Sequence, residues 1–240
     1  MKLDDIKKLQ QKKYRSELGA CLVEGEHLVL ELQQALKHRP ELQAAELYLT
    51  EEYRDWATPL VKHEIGSKQM RALSATKSPQ GILAVLPINA IRPAPAEDDI
   101  AIYLHEVQDP GNLGTILRTL AWFGGFRCLL SPNSVDPFNP KVIRASMGAI
   151  FHVPLELDVP LASLAGRYKR IGCLDMQGEP LSAPAFSDCD CYLFGNEARG
   201  VPREQLDSLS VRPFTIAGAG QIESLNLATA VSLSVYERRR

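Results

Sequence analysis

Residues 191–202 read CYLFGNEARGVP, a short apolar run that passes directly into a loop of glycine and polar residues. An uninterrupted apolar run is typical of a strand buried on both faces, as in parallel sheets covered by helices. Ligands of such sheets bind at the carboxyl ends of the strands. Glycine lets the backbone approach a ligand closely, and the Glu197 carboxylate can receive a hydroxyl or amine proton. The stretch therefore predicts an α/β fold with a functional loop, and a β-turn with a solvent-facing Glu197 is the alternative.

A second loop of this kind lies earlier in the chain. Residues 105–124 read HEVQDPGNLGTILRTLAWFG, in which an apolar strand meets an Asp-Pro-Gly-Asn turn and a helix follows Leu113. Asn112 lies near the start of that helix, and Arg118 follows it by six positions. These two side chains are candidates for polar chemistry. The alternative is an Asn that only caps the helix and an Arg that lies on the surface.

The third loop follows the last predicted strand. Residues 214–230 read FTIAGAGQIESLNLATA, so that small residues lead to Ser-Leu-Asn and a terminal helix from Leu225. Ser224 could simply be the N-cap of this helix. Asn226 is harder to explain, because Asn is a poor helix former and we expect it inside the helix. We therefore predict a polar task for Asn226.

Apolar runs and helical stretches alternate around these loops, which predicts a mostly parallel sheet covered by helices. The predicted strands are at 100–106, 127–130, 151–155, 170–174, 191–194 and 214–216. A smaller α/β unit precedes them. Its predicted elements are an initial helix from Leu3, strands at 19–25, 46–50 and 81–86, a helix from Glu26 and a helix-like stretch at 53–62.

The stretch between the two parts reads as a linker. Residues 89–99 contain two prolines and an acidic run and have no periodicity. We therefore predict an N-terminal domain at 1–88, a linker at 89–99 and a C-terminal domain at 100–240.

Composition excludes several classes of protein. The chain has 240 residues, of which 45% are hydrophobic and 23% charged, and its mean hydropathy is −0.13. These values exclude disorder and a membrane protein. The start of the chain carries Asp4 and Asp5, where a signal peptide needs basic and then apolar residues. The five cysteines include no C-x-x-C pair, so we expect a cytoplasmic protein with reduced, packed thiols and no structural zinc.

Charge gives a mixed indication of nucleic-acid binding. The net charge of −2 shows no overall basic excess. Basic residues nevertheless cluster near the N-terminus, where Lys12, Lys13 and Arg15 lie, and the chain ends in three arginines. Both a solvated helix face and a phosphate-contacting patch fit this pattern. Neither G-x-G-x-x-G nor G-x-x-x-x-G-K-[ST] occurs, so a dinucleotide oxidoreductase or an ATPase lacks its fingerprint.

Together, the three loops resemble the motifs of the SpoU (TrmH) family of RNA ribose 2'-O-methyltransferases, within the SPOUT superfamily. The matching residues are Asn112 and Arg118 in the first loop, Gly195, Asn196, Glu197 and Gly200 in the second, and Ser224, Leu225 and Asn226 in the third. Between the first two, the segment RASMGA at 144–149 resembles the family's R-x-S-x-G-A. The resemblance covers about 100–240, and residues 1–88 look more loosely like the family's L30-like RNA-binding extension.

The resemblance implies a SPOUT domain with a C-terminal deep trefoil knot, preceded by a small L30-like α/β domain. It also implies S-adenosyl-L-methionine (AdoMet) as cofactor, S-adenosylhomocysteine as product, no metal, rRNA or tRNA as substrate, and a homodimer. The implied cofactor-binding residues are Gly195, Ile216, Leu225 and Asn226. The implied catalytic residues are Asn112, Arg118, Glu197, Ser224 and Asn226. The RNA-binding candidates are Lys12, Lys13, Arg15, Arg118 and Arg144.

The family proposal makes Arg118 the group that deprotonates the ribose hydroxyl. A guanidinium has a pKa above about 12, so we favour a phosphate-holding and charge-stabilising role for Arg118. The chain departs from the family where Ile216-Ala217-Gly218 replaces Ile-Pro-Met, which we expect to weaken cofactor binding. A noncatalytic RNA-binding or ribosome-assembly factor that keeps the fold is the alternative.

Three aromatic residues bear on the dimer. Trp122, Phe123 and Phe126 lie near the end of the helix that follows the first loop. They could belong to an interface or to the core, and for each of them we predict the core.

Overall fold

The computed structural model describes residues 1–207 and 209–240. The chain divides into two compact units. Unit 1 comprises Met1–Pro93 and Asp136–His152, and unit 2 comprises Ala94–Val135 and Val153–Arg240. A segment from the middle of the chain therefore groups with the N-terminal residues.

The helices and strands follow one another along both units. In chain order they are α1 (Leu3–Lys8), α2 (Lys12–Leu18), β1 (Ala20–Glu24), α3 (Glu26–Leu36), β2 (Glu46–Leu49), β3 (Val61–Glu64), α4 (Ser67–Leu73), β4 (Ile82–Pro87), α5 (Ile88–Ile91), β5 (Ile100–Leu104), α6 (Pro110–Phe123), β6 (Phe126–Leu130), α7 (Pro140–Ser146), β7 (Leu155–Glu156), α8 (Leu164–Arg167), β8 (Ile171–Pro180), α9 (Pro184–Ser187), β9 (Cys191–Phe194), α10 (Arg203–Asp207), β10 (Arg212–Thr215) and α11 (Leu227–Arg239).

Unit 1 contains a four-stranded sheet in the order β1-β4-β2-β3. Strand β4 is antiparallel to β1 and β2, while β3 is parallel to β2. Strand β1 is buried along its whole length. Ile6 of α1 and Leu9, which follows that helix, pack into the same core as Leu22 and Leu83. The predicted strands at 19–25, 46–50 and 81–86 are confirmed, as is the helix from Glu26.

The helix-like stretch predicted at 53–62 is wrong. A 3-10 turn at Glu51–Tyr53 is followed by β3, an edge strand paired on one side with β2. Pro59 lacks an N–H donor and disfavours a helix through this stretch. Most of β3 is exposed, so its sequence lacks the alternation that marks a half-buried strand.

Unit 2 contains a six-stranded sheet in the order β10-β8-β9-β5-β6-β7. Every strand pair in this sheet is parallel, which confirms the predicted α/β fold. The central strand β5 is buried throughout, and Tyr103 packs with Leu129 and Leu193 from its two neighbours. The first and third loops lead into α6 and α11, which pack together and share a hydrogen bond between Thr119 Oγ1 and Ser232 Oγ of 2.8 Å.

Two strand predictions differ from the structure. Of the run at 151–155, only Leu155 lies in a strand, because Pro154 donates no hydrogen bond and Phe151 ends a 3-10 helix. Strand β8 extends beyond the predicted end at 174, because Glu179 and Pro180 pair with β10 after a shift in register. That extension could not be read from local periodicity.

All five cysteines are buried free thiols, which confirms the packing predicted for them. Burial raises the pKa of Cys21, Cys128 and Cys173 to about 12. These thiols therefore remain protonated near neutral pH. Within the part of the chain that the structure describes, no helix is long and apolar enough to cross a membrane.

Candidate active site

The start of α6 holds Asn112 at one fixed place. Asp109 is the N-cap, and its carboxylate accepts the Asn112 backbone N–H at 2.7 Å. Pro110 occupies the first turn, where a missing N–H costs nothing. The alternative in which Asn112 merely caps the helix is therefore wrong, and its side-chain amide is available for other contacts.

The start of α11 holds Asn226 in a fixed position. Asn226 is the N-cap, and its Oδ1 accepts the backbone N–H groups of Ala228 at 2.9 Å and Thr229 at 3.3 Å. Two expectations are thereby corrected: Ser224 is not the cap, and Asn226 does not lie inside the helix. Capping occupies only the oxygen of the amide. The amide nitrogen remains free to donate elsewhere.

The two asparagines and Glu197 form a hydrogen-bonded chain. Asn226 Nδ2 donates to Asn112 Oδ1 at 2.9 Å, and Asn112 Nδ2 donates to Glu197 Oε1 at 3.1 Å. The two ends of this chain fix its direction. The backbone N–H groups bound by Asn226 can only donate hydrogen bonds, and the Glu197 carboxylate oxygen accepts one. Both amides must therefore be oriented as observed. The first and third loops are thus tied to the second through side chains.

The second loop is held by Asn196 and two glycines. Asn196 is buried, its Nδ2 donates to the Glu106 carbonyl at 2.8 Å, and its backbone pairs with Gly200 in both directions. A Cβ added to Gly195 would lie 2.5 Å from the Gly200 carbonyl carbon. Only glycine fits at Gly195 without moving the backbone. This tight turn fixes the position of Glu197.

Two adjoining cavities open at these loops. The strand-end cavity has a volume of about 420 Å³ and lies against residues 173–177 of β8 and at the carboxyl end of β9. Its lining residues include Cys173, Asp175, Gly195, Glu197, Arg199, Arg203, Ile216, Ser224 and Leu225. The amide cavity has a volume of about 490 Å³. It is lined by Asn112, Glu197, Ser224, Leu225 and Asn226, among others. Glu197, Ser224 and Leu225 therefore belong to the wall that both cavities share.

The charges around the strand-end cavity are of both signs. Asp175 and Glu197 supply carboxylates, and Arg199 and Arg203 supply guanidinium groups. Arg199 is already paired, with its Nη2 2.6 Å from Glu106 Oε2. The buried thiol of Cys173 is neutral because burial raises its pKa to about 12. A neutral thiol is a weak nucleophile, so it can line a cavity that holds an electrophile.

His105 lies at the end of β5, next to Glu106. Burial lowers the pKa of His105, although the Glu106 carboxylate opposes that effect. Its Nδ1 is buried and has no hydrogen-bond partner among residues 1–207 and 209–240. The lowered pKa favours the neutral imidazole. His105 does not line either cavity.

Arg118 does not join the predicted catalytic group. It lies outside both cavities, on the exposed face of α6, and makes no hydrogen bond or ion pair within the described residues. Six positions along a helix correspond to about 9 Å of rise and about 120° of rotation from Asn112. Within one copy of the chain, Asn112, Glu197, Ser224 and Asn226 are brought together and Arg118 is not.

The predicted RNA-binding residues of unit 1 differ in exposure. Lys12 and Lys13 are exposed on α2, and Lys13 lies 3.8 Å from Glu17. Arg15 is only 3% exposed and donates to Asp136 Oδ2 and to the Leu9 carbonyl. This burial argues against the RNA contact predicted for Arg15, because its guanidinium is already bonded inside unit 1.

Sequence reasoning missed several residues of the site. Asp109 is the N-cap of α6, a role that the sequence analysis considered only for Asn112, although Asp before Pro-Gly is itself an N-terminal signal. Asp175 follows the predicted strand at 170–174, and a carboxylate after a strand could have been noticed on that ground. Arg199 and Asn196 lie within the second motif, but their partner, Glu106, is remote in sequence.

The strand-end cavity fits AdoMet. AdoMet has an adenine ring, ribose hydroxyls, a carboxylate and two cationic groups, so it needs apolar walls and charges of both signs. Ile216 and Leu225 supply apolar wall, Asp175 and Glu197 supply anionic groups, and Gly195 lets the backbone approach closely. The volume lies within the range of about 300–1,000 Å³ that is usual for small-ligand sites. In the described part of the chain, no group of three or more His, Cys, Asp or Glu side chains could hold a metal.

Two family models match the chain. The SpoU rRNA Methylase family matches residues 99–236, and the MRM3-like substrate binding domain matches residues 2–84. The first match covers more than half of the chain and includes all three loops.

Relatives of known name agree with these matches. The 23S rRNA (guanosine(2553)-2'-O)-methyltransferase RlmP of Bacillus subtilis is 33% identical over 99% of this chain and 96% of its own length. The mitochondrial rRNA methyltransferase 3 of Mus musculus is 25% identical over 97% of this chain and 70% of its own length.

Solved structures show the same fold. An AdoMet-bound rRNA methyltransferase from Sinorhizobium meliloti superposes with a TM-score of 0.81 at 25% identity, over 99% of this chain and 93% of its own. The SpoU methyltransferase AviRb from Streptomyces viridochromogenes, in complex with AdoMet, superposes with a TM-score of 0.77 at 21% identity, over 99% and 96%. This second likeness bears on the fold alone. The family model and the full-length relative at 33% identity establish that the chain belongs to the SpoU rRNA methylase family.

Proposed function

We propose that this protein transfers the methyl group of AdoMet to a ribose 2'-hydroxyl of ribosomal RNA. One observation carries the proposal: two adjoining cavities share lining residues, among them Glu197, Ser224 and Leu225. The strand-end cavity fits the methyl donor, and the amide cavity is lined by the polar groups that a ribose needs. Two substrates held next to each other in adjoining cavities react as if in a single molecule, which is a large source of rate.

The proposed cofactor site binds AdoMet mainly through backbone groups. Gly195, Ile216 and Leu225 would hold AdoMet through main-chain N–H and C=O groups, with Asp175 as a further carboxylate on the wall. When bound, AdoMet supplies an electrophilic methyl group on a sulfonium. Asn226 lines the amide cavity, so we assign it to positioning, through Asn112, and not to direct cofactor contact.

The amide cavity would orient the attacking hydroxyl. Glu197 Oε1 is occupied by Asn112, while Glu197 Oε2 has no hydrogen-bond partner in the described residues. That oxygen can accept the 2'-hydroxyl proton in a hydrogen bond, and Ser224 can donate to or accept from the ribose. As the new O–C bond forms, the C–S bond breaks and the sulfur keeps the electron pair. The hydroxyl proton leaves to solvent or to a nearby acceptor.

We also propose a homodimer that covers the exposed face of α6 and α11. Trp122 is 85% exposed, which corrects the core position predicted for it, whereas Phe126 is buried as predicted. Tyr236 and Leu233 of α11 are 56% and 42% exposed. Arg118 lies one turn before Trp122 on the same helix face. We therefore expect Arg118 to act at this interface, where it holds phosphate or stabilises charge.

RNA recognition is proposed to divide between the two units. Lys12, Lys13 and Arg144 of unit 1 are the candidate phosphate contacts, and unit 1 includes the match to a substrate binding domain. With a net charge of −2, the affinity is expected to be modest, because a few local contacts must carry it, and salt-sensitive, because each phosphate contact releases counterions.

Three further features belong to the same proposal. We propose the C-terminal trefoil knot, which family membership supports, and the domain limits 1–88 and 100–240, which the two family matches support. We propose a cytoplasmic protein, since five buried free thiols suit a reducing compartment.

Methyl incorporation tests the function. The protein is incubated with methyl-labelled AdoMet and unmodified rRNA, tRNA or a DNA strand of the same sequence. We expect label in rRNA and none in DNA, which lacks the 2'-hydroxyl. AdoMet binding with no label in any RNA would favour the noncatalytic RNA-binding factor. Failure to bind AdoMet would refute the assignment of the strand-end cavity.

A further inference from the structure

We propose that unit 1 carries a pocket for a single nucleotide of the RNA substrate, in which Arg144 pairs with a phosphate and Gln80 contacts the base. The proposal rests on the proposed function, because it takes RNA as the ligand. It concerns a cavity that lies outside the methyl-transfer site.

The unit 1 cavity lies at the carboxyl end of β1. It has a volume of about 270 Å³ and is bounded by Glu24 and Gly25, by the segment around 74–83 and by Arg144 of α7. That volume is just below the range of about 300–1,000 Å³ that is usual for small ligands. The cavity therefore suits one nucleotide and is too small for a helical segment of RNA.

Arg144 supplies the strongest indication of a ligand. Its Nη1 is buried, and no hydrogen-bond acceptor for it is found in the part of the chain that the structure describes. Its side chain makes no ion pair there either. Buried donors are almost always satisfied, and a charged one is the costliest to leave alone. A guanidinium without a partner on a cavity wall indicates an anionic ligand, for which phosphate is the natural partner in RNA.

The carboxylate that lines the same cavity, Glu24, makes no ion pair with that cation. Glu24 is 9% exposed and accepts the Ser74 hydroxyl at 2.9 Å and the Ala75 N–H at 2.8 Å. Thr76 Oγ1 lies 2.8 Å from Ser74 Oγ and continues this network. Glu24 is thus occupied in shaping the loop. Arg144 remains the unpaired charge of the cavity.

Gln80 is oriented to read a base. Its Oε1 accepts the Glu26 backbone N–H at 3.0 Å, so the two hydrogens of its Nε2 remain available to a ligand. A Cβ on Gly25 would lie 2.5 Å from that Oε1, and glycine is therefore what admits Gln80 to this position. An amide with a fixed oxygen presents donors only, which suits the acceptor atoms on a base edge.

Apolar side chains complete the cavity. Met70, Pro79 and Leu83 line it beside the polar groups. An unstacked base of single-stranded RNA is recognised by contact with its face and hydrogen bonds to its edge. One cavity of unit 1 therefore contains a cation that can bind a phosphate, an amide that can donate to the edge of a base, and an apolar surface for the face of that base.

Matched variants test the pocket on the full-length protein. Arg144→Gln removes the cation, and Gln80→Glu keeps the acceptor for Glu26 while removing the Nε2 donors. Arg71→Gln is the control, because Arg71 is exposed on α4 and does not line the cavity. The readouts are the Kd for substrate RNA at several salt concentrations, the Kd for AdoMet, and the single-turnover rate at saturating RNA.

We expect Arg144→Gln to weaken RNA binding by roughly 10-fold or more, the usual cost of a hydrogen bond to a charged group. Its slope of log affinity against log salt should fall in magnitude by about one contact. Gln80→Glu should also weaken RNA binding, and it tests the pocket even if Arg144→Gln fails to fold. AdoMet affinity should stay as in the wild type in both variants, because the pocket lies outside the methyl-transfer site, and Arg71→Gln should change RNA affinity less than twofold.

Three results would overturn the pocket. If wild-type protein methylates RNA while both variants bind it normally, the pocket is wrong and the proposed function stands. If inorganic phosphate or a free mononucleotide binds through Arg144 while RNA affinity does not depend on that residue, the cavity serves a free small molecule. If wild-type protein neither binds nor methylates RNA, the proposed function fails and the pocket fails with it.

Discussion

Replacing Asn226 by Asp separates its two tasks, capping and positioning. Asp caps helices as well as Asn does, so the bonds to Ala228 N at 2.9 Å and Thr229 N at 3.3 Å should survive. The second carboxylate oxygen would replace Nδ2 at 2.9 Å from Asn112 Oδ1, which sets one acceptor against another. Rotation of the Asn112 amide gives no relief, because Glu197 Oε1, at 3.1 Å, needs the same Nδ2.

The magnitudes distinguish Asp from Ala at this position. Asn226→Asp loses one hydrogen bond, about 0.5–1.5 kcal/mol, and gains about 0.3–1 kcal/mol from a negative charge at a helix N-terminus. Its free energy of unfolding should therefore lie within about 1 kcal/mol of the wild type. Asn226→Ala loses the same bond and also the cap, together about 2 kcal/mol, or roughly 4–8 °C in Tm.

Activity should not follow stability in this pair. Both variants break the chain from Asn226 to Glu197, and a misplacement of about 1 Å in a reacting group can cost about 100-fold in rate. We expect both to lose about that factor in single-turnover methyl transfer. Urea denaturation and single-turnover assays on the same samples provide the comparison. Wild-type turnover in Asn226→Asp, or stability as low as that of Asn226→Ala, would refute the reasoning.

Four further predictions follow from the structure. Gly195→Ala places a Cβ 2.5 Å from the Gly200 carbonyl carbon and should displace the loop at a cost of about 1–3 kcal/mol, with calorimetric AdoMet binding lost; unchanged AdoMet affinity would contradict the tight turn. Trp122→Glu should yield monomers by light scattering, and a stable dimer would place the interface elsewhere. Arg118→Lys should keep RNA binding and lose most turnover, whereas wild-type turnover would rule out a role for its guanidinium. Burial raises the pKa of Cys21 and Cys128 from 9.0 to about 12, so the unfolded chain loses these thiol protons at lower pH than the folded protein does. The free energy of unfolding should therefore fall between pH 9 and 12, by about 1.4 kcal/mol per pH unit for each thiol. Urea midpoints at pH 8 and 10 measure this fall, and equal midpoints would contradict it.

The sequence predicted the strands that carry the site but not the way their loops join. Apolar runs marked β5 and β9, which are neighbours in the sheet, so the first two loops had to lie close together. Strand β10 is separated from β9 by β8. The approach of Asn226 to Asn112 therefore depends on the path of the third loop, which no local pattern encodes.

The capping residues of helices, the exposure of Trp122 and the assignment of residues 136–152 to a unit were also difficult to predict from the sequence. Asp109 and Asn226 compete with nearby Asn and Ser residues as caps, and only the backbone geometry shows which side chain reaches the free N–H groups. Trp122 is apolar but exposed, because its place on α6 faces away from the sheet. The grouping of residues 136–152 with unit 1 arises from contacts remote in sequence.

The position of the transferred methyl group tests the central claim most directly. The protein is incubated with rRNA and AdoMet that carries a deuterated methyl group, and the RNA is digested to nucleosides for mass spectrometry, with Asn226→Asp as the control. The account predicts a deuterated methyl on the ribose of one nucleoside and a resistance to alkaline cleavage at that position. A deuterated methyl on a base, or equal incorporation by Asn226→Asp, would contradict it.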